Sequence, residues 1–409
     1  MKIHHILVDN IVKALEDIIV DRQFADKVIE RNFKSHRKWG SRDRKFFAEN
    51  VYDVVRWYRT LAYIANTDTD FWRILAVHWL RKGQELPPME EFIDIDPSIL
   101  QREARIQSYA VLQSYPDWLY DMALAELGND WHQCAAAMNN PADVFLRVNA
   151  LRATPDQVIK ALGMDEVLAE KVLTEQNPEM RTGVAGHNEL PWALRLLERK
   201  NVFSTKAFRD GLFEVQDAAS QLVVPMLEVE PGMRVIDACA GGGGKSLHMS
   251  SLMKNKGKII ALDIHEWKLK SLKERAKRNG VDIIEARLID SQKVIKRMHE
   301  AADRLLLDVP CSGVGVLRRN PDAKWKLSAE ELARLNVIQA DILKSYCVMT
   351  KVGGKMVYAT CSVLPSENEK QVAKFLKEND GWKLEKEIHL RADKQGYDGF
   401  YAARLLREK

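Results

Sequence analysis

The stretch MRVIDACAGGGGKS, residues 233–246, decides the fold class of the second half of this 409-residue chain. An apolar run ends at Asp237, consecutive glycines follow, and a helical pattern begins near Lys245. Glycines allow backbone N–H groups to approach a ligand closely, and a helix N-terminus adds unpaired N–H donors. The stretch therefore predicts a strand, a ligand-binding turn and a helix, in that order.

Four further apolar runs occur along the chain, each followed by a helical or amphipathic stretch. Alternating strands and helices predict a mostly parallel sheet with helices on both faces, which is a Rossmann-like α/β domain. In such sheets ligands bind outside the carboxyl ends of the strands, so the residues at those ends are the candidates for chemistry. The runs are GKIIALDIH (257–265), IIEARLID (283–290), DRLLLDVPCSG (303–313) and GGKMVYATCS (353–362).

Two smaller parts precede this α/β domain, which we place at residues 216–409. Residues 1–138 are predicted to be all-α, because apolar residues recur there with the period of a helix. Residues 139–215 are predicted to form a small α+β module, in which Thr154 caps a helix that has Pro155 at its first position. The sequence therefore predicts three domains.

The composition and the cysteine pattern exclude several classes of protein. The net charge is only +4, the N-terminus lacks the pattern of a secretory signal, and no apolar run is long enough to span a membrane. The 5 cysteines have no CxxC spacing, which argues against a zinc site and favours a reducing compartment. We expect a cytoplasmic monomer that binds neither a metal nor a membrane.

The glycine-rich turn has three candidate ligands. A Walker A loop, which binds nucleoside triphosphates, needs a glycine where this chain has Cys239. A dinucleotide motif that starts at Gly241 needs a glycine where this chain has Ser246. S-adenosylmethionine remains as the ligand that fits, with its methionine end against the turn. The expected contacts are Cys239, Ala240, Gly241, Gly242, Gly243, Gly244 and Lys245.

Aspartates end three of the predicted strands. Asp263 can accept from the ribose hydroxyls of a bound nucleoside, and Asp290 can accept from an adenine amino group. Asp308 ends a run that also resembles a Walker B strand, which keeps an ATPase open as an alternative. A single aspartate at a strand end is usually a turn residue, but several of them behind a glycine loop favour a nucleoside site. We therefore predict that Asp263 and Asp290 contact the cofactor.

Two cysteines, Cys311 and Cys361, directly follow predicted neighbouring strands, so we expect their thiols to share one cleft. A thiolate that adds to carbon 6 of cytosine makes carbon 5 a nucleophile that can take a methyl group. In this interpretation Cys361 is the nucleophile and Cys311 assists release of the product. Asp308 and Lys245 then hold the edge of the base.

A helix is expected just beyond Cys361. Ser366 and Glu369 match the capping-box pattern, in which side chains pair with the first free N–H groups of a helix. The positive end of such a helix would favour the thiolate form of Cys361, which is the reactive form.

Four motifs in chain order resemble those of the Sun-type RNA cytosine-5 methyltransferases, and EVQDAASQLV at 214–223 resembles that family's lead-in to its catalytic domain. The resemblance implies that the protein depends on S-adenosylmethionine, that Cys361 is the nucleophile and that Cys311 assists product release. It also implies that residues 239–245 and the three aspartates contact the cofactor. The motifs are DACAGGGGKS (237–246), DVPCSGVG (308–315), YATCSVLPSENE (358–369) and DGFYAARL (398–405).

The stretch GVLRRNPDAKW, residues 315–325, is similar to the version found in bacterial 16S ribosomal-RNA methyltransferases. The resemblance implies that Arg318, Arg319 and Lys324 line the path of the RNA. An ordinary charged loop is the alternative, which its place directly after Cys311 makes less attractive.

The helical segment 25–53 resembles the NusB-like RNA-binding domain that such enzymes carry in front. Part of it is rich in lysine and arginine interleaved with aromatic residues, a pattern that suits a phosphate backbone. The expected RNA contacts are Arg37, Lys38 and Arg42. A solvated helix face is the alternative for such a run.

The cofactor loop departs from the family pattern at one point. Gly241-Gly242 stand where the family usually has Ala-Pro. Glycine adds flexibility where proline would stiffen the turn, so we expect a loop that is less preorganised for the cofactor.

Together these features predict an enzyme that forms 5-methylcytosine in RNA, with 16S ribosomal RNA as the expected substrate. Transfer RNA is the alternative substrate. A catalytically weak RNA-binding assembly factor and an ATP-driven remodelling enzyme are the alternatives from other classes. The two thiols argue against the first of these, and Cys239 in place of the Walker glycine argues against the second.

Overall fold

The structure is a computed structural model that describes residues 4–172 and 190–409. Part of the predicted α+β module, residues 173–189, therefore lies outside the described residues. The helices within the described residues are α1 His5–Ile19, α2 Ala25–Ser35, α3 Ser41–Ala65, α4 Phe71–Arg81, α5 Tyr109–Leu112, α6 Asp117–Leu127, α7 Asp130–Met138, α8 Pro155–Met164, α9 Lys206–Arg209, α10 Ala218–Val223, α11 Gly244–Leu252, α12 Glu266–Asn279, α13 Gln292–Lys296, α14 Ala323–Lys326, α15 Ala329–Tyr346, α16 Glu369–Glu378 and α17 Ala392–Gln395.

Strands and short 3₁₀ segments complete the described secondary structure. The strands are β1 Phe145–Val148, β2 Ala169–Lys171, β3 Ala193–Leu196, β4 Phe213–Val215, β5 Arg234–Asp237, β6 Lys258–Asp263, β7 Ile284–Leu288, β8 Ala302–Asp308, β9 Thr350–Thr360, β10 Trp382–Leu390 and β11 Phe400–Arg407. The 3₁₀ segments are Glu90–Phe92, Pro97–Arg105, Pro225–Leu227, Val314–Val316, Cys347–Met349 and Pro365–Glu367.

The chain forms two compact units, which divide it differently from the three domains expected from the sequence. The first unit comprises Met1–Pro141 and Leu317–Glu331, and the second comprises Ala142–Val316 and Leu332–Lys409. The small α+β module thus packs as one body with the Rossmann-like sheet. A segment that follows β8 in the chain packs instead with the N-terminal helices.

The first unit is helical, as expected, and α1, α3 and α4 form its centre. Ile11, Leu15 and Val51 lie on the buried faces of these helices at helical spacing. The indole N–H of Trp79 donates to Oδ1 of Asn50 at 2.6 Å, so that this buried polar pair is satisfied inside the core. None of the described helices combines the length and the apolar composition that crossing a membrane requires.

The second unit begins with a four-stranded antiparallel sheet in the order β2-β3-β1-β4. Helix α8 covers this sheet and begins where the sequence predicted. The hydroxyl of Thr154 accepts from the N–H of Gln157, whose side chain accepts from the N–H of Thr154. Pro155 occupies the first helical position, where its missing N–H has no cost.

The large sheet has the order β10-β11-β9-β8-β5-β6-β7. Strands β5 to β9 pair in parallel, and β11 and β10 add antiparallel strands at one edge. Val357 and Tyr358 of β9 point to separate cores, which also contain Met249 of α11 and Leu343 of α15 respectively. The mostly parallel, two-sided α/β fold is therefore confirmed. The strand order reverses between β5 and β8, which opens a crevice at their carboxyl ends.

Candidate active site

The residues expected to carry chemistry follow neighbouring parallel strands of the large sheet. β5 ends at Asp237, β8 ends at Asp308, and β9 ends at Thr360, directly before Cys361. These three strands are adjacent and parallel, so their carboxyl ends lie along one edge. The edge is also the crevice where the strand order reverses.

The two thiols come together as expected. The Sγ atoms of Cys311 and Cys361 are 3.2 Å apart, and the backbone N–H of Cys361 points to Sγ of Cys311 at 3.3 Å. Both cysteines are free and half-buried. The hydrogen bond with Cys361, together with burial, raises the pKa of the Cys311 thiol well above its ordinary value. Cys311 is therefore protonated at neutral pH and can donate its S–H to the sulfur of Cys361.

Lys245 and Asp308 form an ion pair at the same edge. The ammonium of Lys245 donates to Oδ2 of Asp308 at 2.6 Å and also lies 5.2 Å from the centre of the Phe400 ring. The Lys245 side chain is 10% exposed and that of Asp308 is 29% exposed. A charge-assisted hydrogen bond in such a setting fixes the carboxylate while part of it stays open to a ligand.

The glycine-rich turn has the conformation that its sequence suggested. Gly241 has φ +53° and Gly243 has φ +83°, and a Cβ at Gly243 would lie 2.5 Å from Cγ of Leu272. Glycine is therefore required at position 243 for both backbone and packing reasons. The carboxylate of Asp263 accepts from the N–H of Gly241 at 2.9 Å and from the N–H of His265 at 2.8 Å. Asp263 thereby ties the turn to the end of β6.

Two arginines that the sequence analysis did not select hold the carbonyl groups of this turn. Arg275 of α12 donates to the carbonyl of Gly242 at 2.6 Å, and Arg147 of β1 donates to the carbonyl of Gly244 at 2.6 Å. Arg275 also pairs with Glu214, whose side chain is 4% exposed. The flexibility expected from Gly241-Gly242 is thus opposed by contacts from outside the loop.

Asp237 is a deeply buried carboxyl group at the end of β5. Its Oδ2 accepts from the hydroxyl of Ser246 at 2.6 Å, and its Oδ1 has no hydrogen-bond partner among the described residues. Burial raises the pKa of Asp237 to about 7. The glycine turn, this unsatisfied oxygen and the partly open Asp308 fit the polar methionine end of S-adenosylmethionine. Asp263 is 7% exposed and both of its oxygens already accept backbone hydrogen bonds, so a ribose contact from it remains a proposal.

Two family models match the chain. The one described as 16S rRNA methyltransferase RsmB/F matches residues 224–406, and the one described as Methyltr_RsmF/B-like, ferredoxin-like domain matches residues 115–177. The probable ribosomal RNA small subunit methyltransferase B of Synechocystis sp. is 31% identical over 91% of this chain and 89% of its own length. The ribosomal RNA small subunit methyltransferase B of Serratia proteamaculans is 32% identical over 78% of this chain and 72% of its own length.

This chain belongs to the RsmB/F family of 16S rRNA methyltransferases. The resemblance inferred from the motifs is confirmed, and S-adenosylmethionine is the methyl donor that this methyltransferase family uses. Solved structures share the fold. The crystal structure of PH0851 superposes with a TM-score of 0.80 at 24% identity over 100% of both chains. A methyltransferase homolog protein from Pyrococcus horikoshii superposes with a TM-score of 0.61 at 24% identity, over 76% of this chain and 100% of its own.

Asp290 lies in a less favourable position for an adenine contact than the RsmB/F resemblance implied. Strand β7 ends at Leu288, so Asp290 belongs to the loop beyond it and is exposed. Its carboxylate accepts from the hydroxyl of Ser291 at 3.0 Å. An adenine contact from Asp290 remains a proposal, and the predicted strand was too long by these last residues.

The helix expected just beyond Cys361 begins later than the capping box suggested. Residues Pro365–Glu367 form a 3₁₀ turn, and α16 begins at Glu369 without a side-chain cap. The capping prediction was wrong, because Ser366 lies within the 3₁₀ turn and does not cap α16. The acidic residue that this turn buries is Glu367, two positions before Glu369. Within the described residues, no helix N-terminus therefore lies directly beyond Cys361 to favour a thiolate there.

The basic segment after β8 is largely buried in the helical unit. Lys324 is 1% exposed and donates to the carbonyl of Arg56 at 2.8 Å, and burial lowers its pKa well below the ordinary value. Arg318 is 8% exposed and donates to the carbonyl of Pro141 at 2.9 Å. The expectation that these two line the RNA path is corrected, since side chains buried in this way stabilise the unit. Arg319 is half-buried and remains a proposed RNA contact.

The basic residues of the NusB-like region are exposed, whereas their aromatic neighbours are buried or half-buried. Arg37, Lys38 and Arg42 face solvent at the end of α2 and the start of α3. Phe47 is fully buried, and the ring of Trp39 packs 5.1 Å from it. The ring of Phe47 is therefore closed to stacking with a base, and the exposed cations offer an ionic contact.

Proposed function

We propose that this protein transfers the methyl group of S-adenosylmethionine to carbon 5 of a cytosine in 16S rRNA, through a covalent bond between Cys361 and carbon 6. One observation carries the proposal: the Sγ atoms of Cys361 and Cys311 lie 3.2 Å apart beyond two adjacent parallel strands. Free cysteines are more often inert core residues. Two of them at the ligand-binding edge of a methyltransferase sheet are better explained by covalent catalysis.

The first step belongs to Cys361. Its thiolate forms a bond to carbon 6, the electrons of the 5,6 double bond shift towards carbon 4, and N3 of the ring takes a proton. Asp308 is suited to accept a hydrogen bond from that protonated N3, because Lys245 holds its carboxylate in place at 2.6 Å. Bound S-adenosylmethionine supplies the electrophilic methyl group that the activated carbon 5 takes up.

The second step reverses the addition and involves Cys311. The protons on carbon 5 and on N3 leave to water, the 5,6 double bond forms again, and the bond between carbon 6 and Cys361 breaks, with its electron pair remaining on the sulfur. Hydrogen bonding to Cys361 raises the pKa of Cys311, so that Cys311 remains a thiol. Its S–H can then stabilise the departing Cys361 thiolate across the 3.2 Å that separates the sulfurs.

The choice of 16S rRNA rests on the relatives. The proteins from Synechocystis sp. and Serratia proteamaculans are named as methyltransferases of the small ribosomal subunit RNA. The exposed cations Arg37, Lys38 and Arg42, with Arg319, supply charge for a phosphate backbone.

A labelling experiment tests the reaction and the substrate together. The protein is incubated with methyl-labelled S-adenosylmethionine and separately with purified 16S rRNA, partly assembled small subunits and transfer RNA. We expect labelled 5-methylcytidine in nucleoside digests of the ribosomal samples, at one position by bisulfite sequencing. Label in another nucleoside would contradict the cytosine chemistry, and label in transfer RNA alone would overturn the ribosomal substrate.

The RNA-binding role of the NusB-like region has its own test. Reversing the charge at Arg37, Lys38 and Arg42 together is expected to weaken binding of 16S rRNA by at least about tenfold at physiological salt, with a shallower salt dependence. Affinity for S-adenosylmethionine should not change. Lys13→Glu, an exposed position on α1, serves as the control. RNA binding equal to that of the control would assign the three residues to a solvated helix face.

A further inference from the structure

Glu367 is a completely buried acidic residue close to the two thiols. It ends the 3₁₀ turn between β9 and α16, and it is 0% exposed. A buried carboxylate is unfavourable unless hydrogen bonds satisfy it. A carboxylate at this position therefore needs hydrogen-bond donors that satisfy its charge.

The carboxylate of Glu367 is bound to the turn that carries Cys311. Oε1 accepts from the backbone N–H of Ser312 at 2.8 Å and from the side-chain amide of Gln339 at 3.0 Å, and Oε2 accepts from the Ser312 hydroxyl. The same amide of Gln339 donates to the carbonyl of Pro310 at 3.0 Å. The residues on both sides of Cys311 are thus held by one buried network.

The neighbouring Asn368 holds the other turn in a similar way. Its Oδ1 accepts from the hydroxyl of Thr360, and its Nδ2 donates to the carbonyl of Ser362 at 3.0 Å. The backbone carbonyl of Glu367 accepts from the hydroxyl of Tyr358 at 2.6 Å. The residues on both sides of Cys361 are therefore held by Glu367 and Asn368, which are adjacent in the chain.

We infer that Glu367 is a positioning residue that, with Asn368 beside it, sets the distance between the two sulfur atoms by binding the Cys311 turn to the Cys361 turn. The inference rests on the proposed function for its catalytic meaning, since adduct release would depend on that distance. The carboxylate does not need to touch the substrate for this role.

The charge of Glu367 has a second consequence. Hydrogen bonding to Cys361 and burial are the larger causes of the raised pKa of Cys311, and the Glu367 carboxylate adds to it. Removing the charge should therefore make Cys311 ionise at lower pH. A side chain with a purely structural role would not change the pH at which Cys311 ionises.

The distance between the sulfurs can be measured without RNA or cofactor. Diamide oxidises the two thiols to a disulfide, and the rate depends on how closely they approach. Glu367→Gln keeps the size of the side chain but places an amide donor against the donors of Ser312 and Gln339. We expect disulfide formation in this variant to slow by at least about tenfold, as measured by mass spectrometry of the linked peptides, because a buried network is disrupted.

Two further variants keep the inference testable. Ser312→Ala removes one of the donors from Glu367 without adding a buried group, and should slow disulfide formation in the same direction by a smaller factor. Glu378→Gln, an exposed position on α16, is the matched control and should match wild type. The pH midpoint of Cys311 alkylation should fall in Glu367→Gln and not in the control.

The outcomes separate this inference from the proposed function. If the folded Glu367→Gln variant forms the disulfide as fast as wild type, Glu367 does not set the distance between the two sulfur atoms. If Glu367→Gln does not fold, the same result with Ser312→Ala leads to the same conclusion. If the rate falls but Cys361→Ala still methylates RNA fully, the positioning role stands and the covalent mechanism fails. If both stand, Glu367→Gln should accumulate the covalent protein–RNA adduct, lower kcat and leave the Kd for S-adenosylmethionine unchanged.

Discussion

The thiol-bearing turns and the glycine-rich turn lie at the same edge of the sheet but are held in different ways. The Cys311 and Cys361 turns are joined through Glu367 and Asn368, which belong to the same motif as Cys361. The glycine turn is held by arginines from β1 and α12, far away in the chain. The comparison indicates that the proposed nucleophile is held by residues of its own motif, whereas the glycine turn depends on the packing of the small α+β module.

The largest effect is expected at Cys361, the proposed nucleophile. Cys361→Ala should lower methyl transfer by at least about a thousandfold, because removal of a covalent nucleophile elsewhere costs this much or more. Incorporation of labelled methyl groups into RNA measures the rate, with Cys134→Ala, a buried position in the helical unit, as the control. Full activity in Cys361→Ala would show that the two thiols are a structural pair.

A smaller effect on rate, with a distinct product, is expected at the second thiol. Cys311→Ala should slow turnover by about a hundredfold, in the range of an assisting acid–base group, and should accumulate a protein–RNA adduct that survives denaturing gels. The double variant that also lacks Cys361 should form no adduct. Turnover at the wild-type rate without any adduct would reduce Cys311 to a packing role.

The glycine turn should respond in cofactor affinity instead. Arg275→Gln is expected to weaken S-adenosylmethionine binding by about tenfold, because a hydrogen bond from a charged group contributes roughly 1.5–3 kcal/mol. Calorimetric titration measures the Kd, and kcat should change less than KM. Lys273→Gln, exposed on the same helix, is the control. An unchanged Kd in Arg275→Gln would mean that the loop holds its shape without the arginine.

The smallest effect is expected in the stability of the protein without cofactor. The pKa of Asp237 is raised to about 7 by burial, so the folded state holds its proton where the unfolded chain has lost it. This contribution to stability is present below about pH 4 and is lost as the pH rises towards 7. Asp237→Asn, which cannot titrate, should not lose stability in this way as the pH rises. The Tm of Asp237→Asn minus that of the wild type should therefore increase from pH 5.5 to pH 8. A difference that stays constant over this range would contradict the prediction.

Most of the candidate site could be predicted because its residues follow strands that are recognisable from local patterns. The ends of β5, β6 and β8 at Asp237, Asp263 and Asp308 needed only apolar runs of the right length. The meeting of Cys311 and Cys361 followed from their places after neighbouring strands. Such features depend on hydrogen bonding and side-chain alternation within a few residues.

The errors occurred where burial depends on partners distant in the chain. Lys324 has the sequence pattern of an exposed cation, yet its ammonium is enclosed by the helical unit. Ser366 and Glu369 match a capping box, yet Glu367 is the residue that the turn buries. A local pattern cannot show which of several polar side chains will find partners inside the fold.

The sequence by itself determined the order of strands and turns, the glycine loop, the strand-end carboxylates and the two thiols, because each depends on residue type and short-range spacing. Only the tertiary structure decided that residues 317–331 pack with the N-terminal helices and that Arg147 and Arg275 hold the glycine turn. It also decided that Glu367 lies buried between the two cysteine turns. These contacts join residues far apart in the chain, and their free energy depends on desolvation and on hydrogen-bond partners that form only when the chain has folded.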